Sequence, residues 1–168
     1  MTSFESLIVS VPDFPEPGVT FRDITPLLAD AAGFRAATDA LIAPFAGGFD
    51  YVAGIEARGF ILASAAAIDS GTGLIPIRKA GKLPRPSASV GYSLEYADAT
   101  IEAHADFAPG SRILLVDDVL ATGGTLRAAR ELLSDLGADV IGTAVLIEIE
   151  ALGGRDVAGS DIHAVLRV

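Results

Sequence analysis

Short apolar runs alternate with longer apolar or amphipathic segments along most of the chain. Because a short apolar run bounded by turn residues is typical of a buried strand, these runs predict a sheet. The runs that predict strands are 51–55, 74–79, 112–116, 139–149 and 162–168. Segments 93–96 and 100–105 predict a hairpin. The stretch 80–91, rich in Gly, Pro and Ser, predicts a mobile loop.

Helical patterns fill the intervals between the predicted strands. Their signals are N-cap residues, apolar residues at helical spacing and a glycine after the last turn. The predicted helices are one through Leu7 and Val9, one region from a Thr25 N-cap and Pro26 to Phe45, one over 60–68, and one from Thr125 to Leu136 with Gly137 at C′. Strands that alternate with helices predict an α/β fold with a central, mostly parallel sheet flanked by helices.

Length, charge and composition limit the classes of protein that remain. A chain of 168 residues without a linker-like stretch predicts a single domain over 1–168. A net charge of −10 argues against nucleic acid or an anionic membrane as a partner, since both would be repelled. No apolar run approaches the roughly 18 residues of a membrane span, and no signal-like segment begins the chain. The absence of cysteine fits a reducing compartment, so we expect a cytoplasmic protein.

A local positive patch contrasts with this acidic composition. Within 57–91, five basic residues accompany a single acid, Asp69. The bases are Arg58, Arg78, Lys79, Lys82 and Arg85. Such a patch favours a small, highly charged anion as ligand, although a solvated loop would also explain it. His104 and His163 are too few for a rich metal site, and we expect surface or core roles for both.

The segment 113–126, ILLVDDVLATGGTL, carries the most specific chemistry. Asp117 and Asp118 follow an apolar run, and a turn with two glycines and two threonines then opens a helix. Free amide groups at a helix N-terminus suit a phosphate, whereas ionised carboxylates accept hydrogen bonds from sugar hydroxyls. The segment therefore predicts a ribose 5-phosphate cradle. The alternative, that one acid caps a helix, explains only one of the two carboxylates.

VDDVLATGGT resembles the phosphoribosyl diphosphate (PRPP) motif of type I phosphoribosyltransferases, and the wider match is to the adenine phosphoribosyltransferase family. The matching segments are FPEPGVTFRDITPLL, GIEARGF, IRKAGKLP, YSLEY, PGSRILLVDDVLATGGTL and LGG. The resemblance implies a type I phosphoribosyltransferase fold with a flexible hairpin and loop hood. It also implies transfer of ribosyl 5-phosphate from PRPP to N9 of adenine in purine salvage, which gives AMP and diphosphate. Mg²⁺ would bind mainly through PRPP, diphosphate and water, without a protein ligand set, and the protein would be a homodimer.

The resemblance also assigns roles to residues of the PRPP site. Asp117 and Asp118 would hold the ribose hydroxyls. The turn around the 5′-phosphate would comprise Ala121, Thr122, Gly123, Gly124 and Thr125. The diphosphate loop, where a non-proline cis peptide is usual, would comprise Glu56, Ala57, Arg58 and Gly59. The flexible catalytic loop, which closes over the diphosphate, would contribute Arg78, Lys79 and Lys82.

The remaining implied roles concern catalysis and the base. Arg58 and Lys82 would act on the departing diphosphate, and Glu95 would approach the purine and carry its proton. An exposed glutamate in a hairpin needs no function, which is the alternative for Glu95. Thr20, Phe21 and Arg22 would form the adenine site, with backbone groups reading the edge of the base.

Two other functions are compatible with the same motif. A phosphoribosyltransferase for 6-oxopurines such as guanine or xanthine typically places a lysine on the oxo group, and no lysine follows Lys82 here. Some purine repressors use this fold to sense PRPP without catalysis. They resemble fusions with a DNA-binding domain, whereas this chain begins its predicted fold at once and is acidic.

Overall fold

The computed structural model of the chain describes residues 4–93 and 98–168. The chain divides into two compact units, residues 1–40 and 41–168. None of the helices in the described ranges has the length and apolarity needed to cross a membrane. The single domain predicted over 1–168 stays a prediction.

The first unit contains a small antiparallel sheet and short helices. A 3-10 turn over Phe4–Leu7 precedes β1 (Val9–Val11), which pairs with β2 (Phe21–Asp23). Helix α1 (Thr25–Ala29) follows β2, and most of α2 (Ala31–Ile42) belongs to this unit.

Two local predictions for the first unit are wrong. Val9 begins a strand rather than continuing a helix, because its backbone pairs with Asp23 across the two-stranded sheet. Thr25 lies inside α1, and Ile24 is the N-cap. The amide and hydroxyl of Thr25 donate instead to Asp23 Oδ1, over 2.8 and 2.6 Å, so the acid two residues earlier satisfies the helix start.

The second unit is built on a mixed sheet whose described strands number seven, in the order β5-β6-β4-β3-β7-β8-β9. Strands β3, β4, β7, β8 and β9 are parallel, and the β5–β6 hairpin adds to β4 antiparallel. The strands are β3 (Tyr51–Ile55), β4 (Gly73–Lys79), β5 (Ala88–Ser93), β6 (Asp98–Ala103), β7 (Arg112–Leu120), β8 (Asp139–Glu148) and β9 (Ile162–Arg167). The helices are α3 (Arg58–Ser70), α4 (Gly124–Asp135) and α5 (Gly154–Ala158), with 3-10 turns over Ala43–Phe45 and Glu150–Leu152.

Helices α3 and α4 cover opposite faces of this sheet. Ala53 and Ile55 of β3 belong to one core cluster with the apolar residues of α4. Gly54, which points to the other face, lies so close to α3 that an added Cβ would come within 2.6 Å of Ala63 Cβ. The predicted α/β class, with a mostly parallel sheet flanked by helices, is confirmed.

Strand boundaries differ from the prediction at two places near the site. Strand β7 extends through Leu120, so Asp117 and Asp118 lie within a strand instead of following it. Residues 88–91, which were part of the predicted loop, pair with β6 and begin β5. Strands β5 and β6 pair antiparallel, but β5 ends at Ser93, where the first arm of the predicted hairpin begins, and the rest of that arm, 94–96, lies outside the described residues. The flexibility of the hood stays a prediction. Gly137 has the predicted positive φ of 87° after α4.

Leu115→Ala should lower the free energy of unfolding by about 2–5 kcal/mol, because Leu115 is fully buried in the centre of β7 and its truncation leaves a cavity. Urea unfolding measures the change. Leu74→Ala on β4 is the matched control, since Leu74 is 41% exposed and should cost less than about 1 kcal/mol. Equal losses in the two variants would contradict the assigned core.

Candidate active site

A cavity of about 400 Å³ opens where β3, β4 and β7 end. Parallel strands present their carboxyl ends at one edge of a sheet, which is where α/β proteins bind ligands. The polar residues that line this cavity include Glu56, Arg58, Lys79, Asp117, Asp118 and Thr125. The cavity thus combines carboxylates, cationic groups and a hydroxyl, which suits a ligand with both sugar and phosphate groups.

A second cavity, of about 130 Å³, lies at the N-terminus of α4 and shares Asp117 and Thr125 with the first. Ala121, Thr122 and Gly123 line it. The N-cap Gly123 has a φ of 84° and offers no side-chain cap. The first amide groups of a helix lack intrahelical acceptors, so this turn is suited to bind an anion the size of a phosphate.

Glu56, directly after β3, accepts hydrogen bonds from residues at the end of β4 and just after it. Lys82 Nζ donates to Oε1 over 2.7 Å. Arg78 Nε and the Lys79 amide donate to Oε2 over 3.2 and 2.9 Å. The hydrogen bond from Lys82 is the largest cause that lowers the pKa of Glu56 to about 2, against the opposing effect of desolvation. Glu56 is therefore ionised at neutral pH and holds these cations beside the cavity.

Asp117 and Asp118 form a buried acid pair in β7. Burial raises the pKa of both carboxyls, and the charge of Asp118 raises the pKa of Asp117 further. Arg58 opposes this effect, since its Nη2 lies 2.6 Å from Asp118 Oδ2. The Asp118 amide donates to Asp117 Oδ1 over 2.9 Å. The Arg58 guanidinium therefore favours the ionised form of Asp118 against the effect of burial.

The loop after β3 packs directly against β7. A Cβ added to Gly59 would come within 2.7 Å of Asp117 Oδ1 and 3.2 Å of the Val116 carbonyl oxygen. Only glycine allows this approach without a shift of the buried strand. The peptide bond between Glu56 and Ala57 is a non-proline cis bond, in the loop where the resemblance implies one.

Two contributors to the site were not singled out in the sequence. Tyr92 on β5 lines the larger cavity, and its hydroxyl lies 3.3 Å from Thr125 Oγ1. Phe60 contacts Arg78, whose guanidinium carbon lies 5.9 Å from the centre of the Phe60 ring. Both contacts join residues distant in the chain, so no local spacing signals them.

The structure brings most of the expected PRPP site together. The expected PRPP-site residues that line the two cavities are Glu56, Ala57, Arg58, Lys79, Asp117, Asp118, Ala121, Thr122, Gly123 and Thr125. Arg78 and Lys82 join them through Glu56, while Gly59 and Gly124 form the starts of α3 and α4. Glu95 lies outside the described residues.

The residues expected at adenine belong to the first unit. Thr20 precedes β2, and Phe21 and Arg22 are its first two residues. The Phe21 ring meets Phe14 edge to face, with 5.3 Å between ring centres. The Arg22 guanidinium donates to the Ser10 hydroxyl on β1. Phe21 thus contacts the segment that connects β1 to β2, and Arg22 contacts the neighbouring strand.

The sequence profile of the phosphoribosyl transferase domain matches residues 23–161. The chain belongs to the phosphoribosyltransferase family. An adenine phosphoribosyltransferase of Renibacterium salmoninarum is 55% identical to this phosphoribosyltransferase over 166 residues, which cover 98% of this chain and 91% of the relative.

Two solved structures of adenine phosphoribosyltransferases are similar to this phosphoribosyltransferase. That from Rhodothermus marinus superimposes with a TM-score of 0.92 at 44% identity, and the match covers 98% of this chain and 96% of that one. That from Giardia lamblia, complexed with 9-deazaadenine, has a TM-score of 0.92 at 38% identity, with 100% and 99% covered. The predicted type I phosphoribosyltransferase fold is thereby confirmed.

The ionised Glu56 carboxylate should add to the free energy of unfolding at pH values above 4.5, the ordinary pKa of a glutamate side chain. That contribution should be lost as the pH falls toward about 2. Lys82→Ala should move the Glu56 pKa upward toward 4.5, because it removes the strongest donor. Carbon NMR of the side-chain carboxyl measures the midpoint. Lys79→Ala is the matched control, since Lys79 donates its backbone amide, which the variant keeps. An unshifted midpoint in Lys82→Ala would refute this account of Glu56.

Proposed function

We propose that this chain is an adenine phosphoribosyltransferase, which transfers ribosyl 5-phosphate from PRPP to N9 of adenine and releases diphosphate. The observation that carries the proposal is the convergence of the buried acid pair, the cations gathered by Glu56 and the uncapped turn of α4 around two adjoining cavities. Its relatives at 55% identity over nearly the whole chain carry the same name. The product, AMP, places the reaction in purine salvage.

The acid pair and the turn of α4 divide the ribose 5-phosphate between them. Asp117 and Asp118 accept hydrogen bonds from the ribose hydroxyls, and the amides and hydroxyls of the turn 121–125 bind the 5′-phosphate. Asp118 is paired with Arg58 in the structure. Substrate binding therefore exchanges this ion pair for two separate contacts, with ribose on Asp118 and diphosphate on Arg58.

The cations around Glu56 act on the leaving group. As the bond between ribose C1 and the diphosphate oxygen breaks, negative charge grows on diphosphate and positive charge on the ribose ring. Fixed cationic groups stabilise that developing charge most where water is excluded. Lys82 is half exposed while it pairs with Glu56, so it can transfer to the diphosphate when the loop closes. Glu95 and the residues Thr20, Phe21 and Arg22 act at the purine, Glu95 as carrier of its proton.

Mg²⁺ fits this donor set as a companion of the substrate. Among the described residues, no group of three or more His, Asp or Glu is arranged to hold a metal. Mg²⁺ commonly keeps several waters and binds through one or two carboxylates and substrate phosphates. When bound, it would neutralise charge on the diphosphate. Glu56, Asp117 and Asp118 are the carboxylates that line the larger cavity.

The homodimeric state and the cytoplasmic location are also part of this proposal. Both rest on the resemblance to the family. The absence of cysteine from the sequence suits a reducing compartment.

The double variant Asp117→Asn, Asp118→Asn should weaken PRPP binding about 100-fold or more and abolish transfer, because both charged acceptors for the ribose hydroxyls are lost while size is kept. Titration calorimetry with PRPP and Mg²⁺ measures the affinity. Asp135→Asn on α4 makes the same chemical change at an exposed position and should leave affinity unaltered. Wild-type affinity in the double variant would exclude the ribose role.

Adenine should be used in preference to guanine, hypoxanthine and xanthine by a factor on the order of 10⁴ in kcat/KM. Adenine offers an amino donor beside an acceptor, whereas 6-oxopurines offer the reverse pattern, which leaves buried groups unpaired. Steady-state kinetics with each base at saturating PRPP and Mg²⁺ provides the test. Arg22→Ala should keep the preference, because the proposed reading is by backbone groups. Comparable use of a 6-oxopurine would overturn the adenine assignment and leave the phosphoribosyltransferase assignment intact.

A further inference from the structure

A second cluster of charged residues lies at the end of β8, outside the two cavities. Glu148 is buried, with 5% of its surface exposed. Arg155 binds it with both arms of its guanidinium, Nε to Oε1 over 2.6 Å and Nη2 to Oε2 over 2.7 Å. Arg167 on β9 approaches the same carboxylate over 3.3 Å. This bidentate pair is the kind of ion pair that fixes geometry as well as charge.

Arg155 ties α5 to the sheet. The helix has five residues, too few to be stable without tertiary contacts. Besides its two bonds to Glu148, Arg155 donates from Nη1 to the Ser160 carbonyl oxygen over 2.7 Å, which holds the chain just after α5. Arg155 therefore links α5 to both the sheet and the segment that follows the helix.

Helix α5 packs directly against the turn that precedes α4. A Cβ added to Gly154 would collide with the Ala121 carbonyl oxygen and come within 2.6 Å of Leu120 Cδ1. A Cβ added to Gly123 would collide with the Gly154 carbonyl oxygen and come within 3.1 Å of Ala158 Cβ. Backbone meets backbone across this contact, so a shift of α5 moves the turn.

We infer that Arg155 is a positioning residue for the 5′-phosphate turn 121–125, acting through Glu148 and α5. The inference rests on the proposed function of that turn. The turn binds phosphate through backbone amides, whose directions depend on what the backbone packs against. Arg155 contacts neither cavity, and its effect reaches the ligand only through the contacts of Gly154 and Ala158 with the turn.

The test compares two probes in calorimetry: ribose 5-phosphate, which needs the turn, and inorganic pyrophosphate, which binds at the loops after β3 and β4. Arg155→Gln should weaken ribose 5-phosphate binding on the order of tenfold, since small displacements of a binding group have large effects, and change pyrophosphate binding less than about twofold. Arg155→Lys keeps the positive charge but loses the bidentate contact of the guanidinium with Glu148. It should show the same selective loss of ribose 5-phosphate affinity even if Arg155→Gln fails to fold. Arg167→Gln is the matched control, because Arg167 binds the same carboxylate from β9 instead of from α5.

Each outcome separates the inference from the proposed function. Equal losses for both probes in Arg155→Lys would mean general loosening and would overturn the inference, as would unchanged ribose 5-phosphate binding. A selective loss in Arg167→Gln equal to that in Arg155→Lys would also overturn it, since α5 would not be the route. If the wild-type chain itself failed to bind ribose 5-phosphate, the proposed function would fall and the inference with it.

Discussion

Two carboxylates buried side by side in a strand are the constraint around which the larger cavity is organised. Burial raises the pKa of both Asp117 and Asp118, and the charge of Asp118 raises the pKa of Asp117 further, so a cation close by favours the ionised pair. Arg58 supplies that cation at 2.6 Å from Asp118. It can reach the pair because Gly59 lets the start of α3 approach the strand, where any Cβ would come within 2.7 Å of Asp117 Oδ1. The acid pair therefore determines residue types in a neighbouring helix.

The same balance of charge explains how an acidic chain can bind anions. The net charge is −10, yet three cations at the cavity are paired with carboxylates, Arg58 with Asp118, and Arg78 and Lys82 with Glu56. In the proposed function, a ligand with hydroxyls and phosphates would replace these ion pairs with contacts of matching charge. The opposite charges in these ion pairs largely cancel, and none of the three cations is buried without a carboxylate.

Much of the second unit could be predicted because its strands are short apolar runs with turn residues between them. Strand β3 matches the predicted 51–55, and α4 begins one residue before the predicted Thr125. The prediction ended β7 too early because carboxylates are rare inside buried strands, although Asp117 and Asp118 are so placed. The pairing of Arg155 with Glu148 has no sequence signal, since their contact depends on how α5 folds back on β8.

If the turn 121–125 binds phosphate through backbone amides, as proposed, the residues that matter most are those that pack behind it. Amides are common to almost all residue types, so the turn 121–125 needs small residues for its shape rather than for its chemistry. Glycine is needed at position 123 for two reasons: the φ of 84°, which other residues rarely adopt, and the close contact with Gly154, which leaves no room for a Cβ. The contact is useful only if α5 stays in place, and a five-residue helix stays in place only through side chains such as Arg155. Phosphate affinity in this fold is therefore a property of the tertiary structure behind the turn as much as of the motif itself.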